Sequence, residues 1–219
     1  LEPTAAANLV RLLAFGLSAR AADEGRSFFS QPGGGNRIGE RLFDERVTLY
    51  SDPADPDLLA DPFDGEGLPL GRVVWVENGV LRNLAYDRYW AHRQGVAPTG
   101  FPTALKMEGG DATLDDLVAS TDRGILVTRF WYIRPVDPRT LLFTGLTRDG
   151  TFLIENGRIA RPVQNLRFNE SPALMLARLE ALGRPERVNA SESGGRGPAI
   201  VVPPLKIRGF RFTSVSEAV

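Results

Sequence analysis

The chain has 219 residues, 26 Lys and Arg against 27 Asp and Glu, and no cysteine. The lack of cysteine excludes disulfides, thiolate metal ligands and a cysteine nucleophile, and it is compatible with a cytoplasmic protein. A formal net charge of -1 argues against nucleic-acid binding that is dominated by electrostatic attraction. No apolar run is long enough to span a bilayer.

The chain begins at Leu1-Glu2-Pro3, without an initiator Met and without a signal-peptide pattern. We interpret this start as a cut inside a longer protein. The length fits one large domain or two small ones, and we expect residues 1–219 to form a single domain.

The first predicted element is a helix over Thr4–Arg20, where leucines recur at helical spacing between Leu9 and Leu17. Gly25 predicts its end. The Gly33-Gly34-Gly35 run is not followed by Lys-Ser or Lys-Thr, so it is interpreted as a flexible loop rather than a phosphate-binding loop.

Two Asn-Gly dipeptides predict β-hairpins. Val47–Tyr50 is a short predicted strand, and a long loop rich in Asp, Pro and Gly separates it from the first hairpin. Asn78-Gly79 and Asn156-Gly157 each lie between segments rich in β-formers. Asn-Gly favours the type I′ turn, because both central positions of that turn need positive φ.

Two further helices are indicated by their capping signals. Thr113 is followed by Asp116 at capping-box spacing, and Gly124 predicts the end of that helix. Ser171 is the predicted N-cap of the last helix, which Gly183 is expected to close.

The remaining β-rich segments complete the predicted fold. They are Ile125–Arg134, Leu141–Thr147, Ala199–Val202 and Leu205–Phe212, with a Ser- and Gly-rich loop predicted over Asn189–Pro198. Two hairpins, scattered strands, about three helices and no βαβ alternation predict an α+β fold with a mainly antiparallel sheet.

Few residues could carry catalysis. His92 is the single histidine, so a two-His metal helix is excluded, and no Gly-x-Ser-x-Gly elbow accompanies it for Ser/His/Asp chemistry. Asp64 and Glu66 could act as an acid–base pair or bind a hard cation, but carboxylates among Gly and Pro more often hold a turn. The run Phe130–Tyr132 could stack bases, although core packing with one exposed ring is favoured for a strand.

Several segments together resemble one family, TldD/PmbA, whose members are also called modulators of DNA gyrase. Pro62–Gly67 resembles its Phe-Asp-Asp-Glu-Gly motif with Gly65 in place of Asp, and Val76–Leu81 resembles its Ile-Glu-Asn-Gly-Val-Leu hairpin. Thr99-Gly100 resembles its Thr-Gly-Asn turn, with Phe101 replacing Asn. Phe152–Arg158 resembles its second hairpin. The shared order of the motifs makes the set specific, and it implies the C-terminal domain of a longer protein of this kind.

The resemblance also implies that this chain lacks the family's zinc-binding motif. Family members similar to TldD carry His-Glu-x-x-x-His on the first helix of this region and a later Cys, which hold zinc for peptide-bond hydrolysis. The matching positions here are near Val10, Arg11 and Phe15, and none of these side chains can ligate zinc. The chain therefore resembles the PmbA (TldE) half of the family, and we expect no metal and no other cofactor.

The resemblance implies a non-catalytic subunit of a TldD/TldE-type peptidase complex. Its expected partners are a TldD-like catalytic subunit or a second copy, and an extended peptide added to a sheet edge. The candidate functional loop consists of Asp64, Glu66, Gly67, Thr99 and Gly100. Two alternatives remain open: an independent hydrolase using Asp64, Glu66 or His92, and a DNA or gyrase-associated binding module.

Overall fold

A computed structural model describes residues 1–189 and 199–216. The predicted α+β class is confirmed, since helices accompany sheets that are mostly antiparallel. The helices of the described residues are α1 (Pro3–Gly16), α2 (Ala19–Asp23), α3 (Arg88–Gln94), α4 (Leu114–Ala119) and α5 (Pro172–Ala177). Within these residues, no helix has both the length and the apolar character that crossing a membrane requires.

The strands run through most of the chain. They are β1 (Leu49–Ser51), β2 (Val73–Glu77), β3 (Val80–Leu81), β4 (Leu105–Met107), β5 (Arg123–Asp137), β6 (Leu142–Glu155), β7 (Arg158–Pro162), β8 (Leu166–Glu170), β9 (Leu179–Leu182), β10 (Glu186–Asn189), β11 (Ala199–Val202), β12 (Leu205–Ile207) and β13 (Phe212–Val215).

These strands form two larger sheets and one small one. The first has six strands in the order β10-β11-β4-β1-β2-β3, in which β11 and β4 run parallel. The second has the order β13-β8-β6-β5, with β7 paired to β6 as its fifth strand. The long β5–β6 hairpin is its main feature, and β9 pairs with β12 in a separate two-stranded sheet.

Helix α1 lies where the two larger sheets meet. It contacts β5 of one sheet and both β10 and β11 of the other. Its sequence is rich in Ala, and Pro3 occupies the first turn, where a missing N–H costs nothing. Leu9, Val10 and Leu13 are fully buried. The helix is therefore a central part of the core, and only a narrow face of it reaches the surface.

The first predicted helix is broken in two. It ends at Gly16, and a second short helix begins after Ser18, whose hydroxyl oxygen accepts a hydrogen bond from the Ala21 N–H. A Cβ on Gly16 would lie 3.1 Å from both Leu141 and Phe29. The leucine spacing continues through this break, because a new helix that begins after an N-cap can keep the same apolar pattern.

The two glycines expected to close helices lie elsewhere. Helix α4 has the predicted capping box between Thr113 and Asp116, but it ends at Ala119, and Gly124 belongs to β5. Helix α5 ends at Ala177, and Gly183 follows strand β9 instead. Both expectations were wrong, because glycine also occurs where strands begin or end.

Other segments also differ from the sequence prediction. Leu205–Phe212 is not one strand, since a turn with Gly209 at φ 60° separates β12 from β13. Ser171 precedes α5, but its side chain makes no capping hydrogen bond. Helix α3 was not predicted at all. Of the loop predicted over Asn189–Pro198, all but the first residue lies outside the described residues.

Candidate functional site

The three positions that the family resemblance assigns to a metal motif lie on α1 but face different surroundings. Val10 is fully buried, Arg11 is half-buried, and Phe15 has 69% of its surface exposed. Valine and phenylalanine carry no lone-pair donor, and a guanidinium is a cation without an acceptor. These side chains do not fit a zinc ion. In the described ranges, 1–189 and 199–216, no three His, Cys, Asp or Glu side chains cluster as metal ligands.

A cavity of about 340 Å³ opens beside this part of α1. One wall is the exposed face of the helix, a second is the segment leading into β4, and the floor includes β11. Its main lining residues are Arg11, Phe15, Phe101, Thr103, Leu105 and Ile200. The volume falls within the usual range for small-ligand pockets, about 300–1,000 Å³.

Departures from the family pattern meet in this cavity. The family resemblance assigns Arg11 and Phe15 to two of the three positions of the metal motif, and it matches Phe101 to the Asn of the family's Thr-Gly-Asn turn. All three side chains line the cavity. The place where the resemblance leads us to expect polar ligands is thus mostly apolar, and among the described residues Arg11 is the one charged residue of the lining.

A larger apolar cavity, about 720 Å³, lies on the other side of Phe15. It is lined by Leu12 of α1 and by the end of the β5–β6 hairpin, including Leu141 and Phe143. Phe15 borders both cavities, which explains its exposure at the end of α1. Phe15 is the described residue that the two linings share.

The predicted functional loop is brought together by the fold. Asp64 accepts hydrogen bonds from the backbone N–H groups of Glu66 and Leu68, each 2.9 Å long. A Cβ on Gly100 would lie 3.1 Å from the Asp64 carboxylate, so the loop packs on the Thr99-Gly100 turn. Gly67 adopts φ 70° within the same loop.

Two further bonds fix the loop and the turn in place. Glu66 accepts from the backbone N–H of Arg88 at the start of α3, and the Thr99 hydroxyl accepts from the Tyr86 N–H at 2.9 Å. The same hydroxyl donates to the Leu84 carbonyl. These oxygens therefore hold backbone turns. A functional role for the loop stays a prediction.

His92 lies on the exposed side of α3, in its last turn. Neither His92 nor the pair of Asp64 and Glu66 lines the two cavities next to α1. The candidate acid–base residues of the hydrolase alternative thus lie outside both of these cavities. The residues at the cavity that sequence reasoning missed, Leu105 and Ile200, carry no signal beyond ordinary strand composition.

Next to the cavity, Lys106 of β4 forms ion pairs with the acidic loop that follows β1. Its ammonium lies 3.1 Å from Asp55 and 2.8 Å from Asp57. The hydrogen bonds that the ammonium donates to Asp57 and to Asp55 outweigh the effect of burial and raise the pKa of Lys106. Burial works to raise the pKa of Asp55, but the Asp57 N–H, Lys106 and the Tyr50 hydroxyl together lower that pKa.

Replacing Asp55 by Asn is expected to lower the free energy of unfolding at pH 7 by about 1–3 kcal/mol, because a partly buried charged hydrogen bond is lost. The lowered pKa of Asp55 stabilises the folded state at pH values above the pKa of Asp in the unfolded chain, about 3.9. That stabilisation is lost as pH falls through the pKa of Asp55 in the folded state. The raised pKa of Lys106 adds stability below about 10.4, which is lost as pH rises through its folded pKa.

Urea unfolding of the wild type and the Asp55→Asn variant across pH measures this difference. It should be constant between about pH 5 and 9 and shrink on acidification. Asp57→Asn is the matched control, since the Asp57 side chain is 61% exposed and its loss should cost less. A difference that persists unchanged at low pH would contradict the assigned role of the Asp55 charge.

Known proteins resemble this chain in sequence. Residues 1–214 match the family described as the PmbA/TldA metallopeptidase C-terminal domain. A metalloprotease of Methanothermobacter thermautotrophicus is 25% identical over 193 residues, covering 78% of this chain and 41% of the relative. A zinc metalloprotease TldD homolog of Saccharolobus solfataricus is 25% identical over 198 residues, covering 78% of this chain and 43% of the relative. The chain thus spans less than half the length of these curated relatives.

Solved structures share the fold. A proposed modulator of DNA gyrase from Bacteroides thetaiotaomicron superposes with a TM-score of 0.74 at 28% identity, covering 98% of this chain and 46% of that one. TldE from Thermococcus kodakarensis has the same fold, with a TM-score of 0.68 at 22% identity, covering 94% of this chain and 48% of that one.

The fold and the site define an α+β domain related to metallopeptidases, in which a buried helix borders an apolar cavity marked by one arginine. The chain belongs to the PmbA/TldD family, as the match over nearly its whole length shows.

Proposed function

We propose that the chain belongs to a non-catalytic, TldE/PmbA-like subunit of a TldD/TldE-type peptidase complex in the cytoplasm. The observation that carries the proposal is the chemistry of Val10, Arg11 and Phe15. The family resemblance places zinc ligands at these positions, and the side chains present are a buried aliphatic group, a cation and an exposed ring. Its TldD-like partner supplies the hydrolytic chemistry, and this chain supplies binding surface.

Binding of extended peptide has a physical basis in the six-stranded sheet. Among the described strands, β10 ends that sheet, and an edge strand leaves backbone N–H and C=O groups unpaired. An extended peptide can pair with such an edge through its backbone alone, so many sequences are accepted. Its neighbour β11 contributes Ile200 to the cavity, which brings the sheet edge and the cavity close together.

The alternatives have less support. The hydrolase alternative needs Asp64, Glu66 and His92 to share a cavity, and they line neither of the cavities at α1. A nucleic-acid module needs a continuous basic face. Many arginines instead pair with acidic neighbours, as Arg37 does with Glu40 and Arg129 with Asp149.

Zinc content and partner-dependent cleavage test the proposal. The purified protein is expected to retain only substoichiometric zinc after dialysis and to cleave no unfolded polypeptide, because its α1 positions offer no ligand. Mixed with a TldD-like protein from the same genome, it should form a hetero-complex in size-exclusion chromatography. The TldD-like protein, which retains zinc, is the matched control for metal analysis.

Cleavage that needs a chelatable metal bound to the isolated chain would overturn the proposal. So would self-association with no binding to the TldD-like protein, because the chain would then act without that partner. Peptide hydrolysis by the mixture, together with its loss when the TldD-like ligands are mutated, would assign the chemistry to the partner.

A further inference from the structure

The cavity beside α1 contains an arginine without a partner. Within residues 1–189 and 199–216, the Arg11 side chain forms no ion pair or hydrogen bond, although it is half-buried and lines the cavity. The hydroxyl of Thr103, on the opposite wall, also forms no hydrogen bond in the described part of the chain. Other partly buried cations of the domain are paired, as Lys106 is with Asp55.

An unpaired guanidinium in an apolar setting selects an anion. Arginine presents five N–H donors in a planar fork that matches a carboxylate, and such charged bonds are about twice as strong as neutral ones. Apart from Thr103, the other described side chains of the lining are apolar, and they include Phe15, Phe101 and Ile200. The complementary ligand therefore joins a carboxylate directly to an apolar group.

We propose that this cavity binds the free C-terminal carboxylate of a peptide whose last residue is apolar. Arg11 holds the carboxylate, Thr103 donates a hydrogen bond to it, and Phe15 and Phe101 enclose the terminal side chain. This rests on the proposed function in one respect, that the subunit handles peptides, and it names the part of the peptide that is recognised.

A chain terminus fits the cavity better than an internal acidic residue. In a terminal residue the carboxylate and the side chain leave the same Cα, so one small cavity can hold both. An internal Asp or Glu is flanked on both sides by peptide groups that need their own hydrogen bonds. In the part of the chain that the structure describes, the lining offers only two polar side chains, those of Arg11 and Thr103.

Fluorescence anisotropy with labelled pentapeptides tests this assignment. A peptide ending in Leu with a free carboxylate is expected to bind at least about tenfold more tightly than its C-terminal amide. A peptide ending in Lys, and an amidated peptide with an internal Asp, should bind as weakly as the amide. Equal binding of the acid and the amide would overturn the proposal.

Variants of the chain separate charge from packing. Arg11→Met keeps an apolar stem and should weaken binding of the free acid by about ten- to a hundredfold, while leaving binding of the amide unchanged. Arg11→Lys should restore part of the affinity, and Thr103→Val should lower it by a smaller factor. Arg93→Met, an exposed arginine on α3 outside the cavity, is the matched control.

Circular dichroism and urea unfolding show whether each variant is folded. If folded Arg11→Met binds the free acid as the wild type does, the assignment is wrong. A medium-chain fatty acid supplies the competing source of an aliphatic carboxylate. If it binds through Arg11 and no peptide acid does, the peptide assignment is overturned.

Partner binding keeps this result distinct from the subunit proposal. Arg11→Met is expected to form the complex with the TldD-like protein as the wild type does. Arg11-dependent peptide binding without any complex would remove the subunit role and leave the cavity assignment standing. Complex formation with no preference for the free acid would remove the cavity assignment alone.

Discussion

Replacing Phe130 by Ala is expected to lower the free energy of unfolding by about 3–5 kcal/mol. The side chain of Phe130 is fully buried in β5. Its ring lies 4.8 Å from that of Phe168 in an edge-on arrangement and 5.4 Å from that of Phe210 in a stacked one. The substitution removes both aromatic pairs and leaves a cavity that neighbouring strands cannot close.

Urea unfolding followed by far-UV circular dichroism measures this effect. Phe63→Ala is the matched control, because Phe63 is 57% exposed and its loss should change the free energy of unfolding by less than about 0.5 kcal/mol. Phe130→Leu keeps most of the volume and should cost less than Phe130→Ala. Equal effects of the Phe130 and Phe63 substitutions would show that the aromatic cluster is not a stabilising core.

The elements that the sequence predicts well depend on local chemistry. Both Asn-Gly turns join antiparallel strands, with Asn78 at φ 49° and Asn156 at φ 51°. The capping box of Thr113 and Asp116 forms both of its hydrogen bonds. Each of these signals involves residues within a few positions of one another, so it can be recognised from the local sequence alone.

Less local features were not predictable in the same way. Helix α3 begins after Asp87, whose side chain accepts from the Trp90 N–H, but no leucine periodicity marks it. Trp131 and Tyr132 lie at a bulge of the β5–β6 pairing, where Tyr132 has φ 52°. The bulge interrupts the alternation expected of a strand. Tyr132 becomes half-exposed, which agrees with the expectation of one exposed ring.

The candidate site also combines features that are local in sequence with features that are not. The family resemblance pointed to Arg11 and Phe15 because their motif lies on one helix. The opposite wall comes from Phe101 and Thr103, and the floor from Ile200, at the far end of the chain. The parallel pairing of β11 with β4 brings these segments together, and nothing in the local sequence encodes that pairing. Arg11, Phe15 and Phe101 could be found from the sequence, whereas Thr103, Ile200 and the convergence of all five required the structure.

Both Asn-Gly turns also form contacts that the turn type alone does not require. The Gly79 N–H donates to the Val47 carbonyl, and the N–H of Leu42 donates to the Gly79 carbonyl. A Cβ on Gly79 would lie 2.7 Å from the Asp44 carbonyl oxygen and closer still to that of Phe43. A Cβ on Gly157 would likewise lie 2.6 Å from the Ala119 carbonyl oxygen. Each hairpin is therefore docked by its turn onto a preceding segment.

Replacing Gly79 by Ala is consequently expected to lower the free energy of unfolding by about 2–5 kcal/mol. Adopting φ 77° accounts for about 1–2 kcal/mol, and displacing two backbone carbonyls that cannot rotate away accounts for the rest. Gly25→Ala is the matched control, since Gly25 has φ 75° and a Cβ there would contact nothing within 4 Å. The excess cost at Gly79, measured by urea unfolding, isolates the carbonyl contact. Equal losses at the two positions would mean that the turn conformation alone explains the glycine and that the hairpin is not held by close packing.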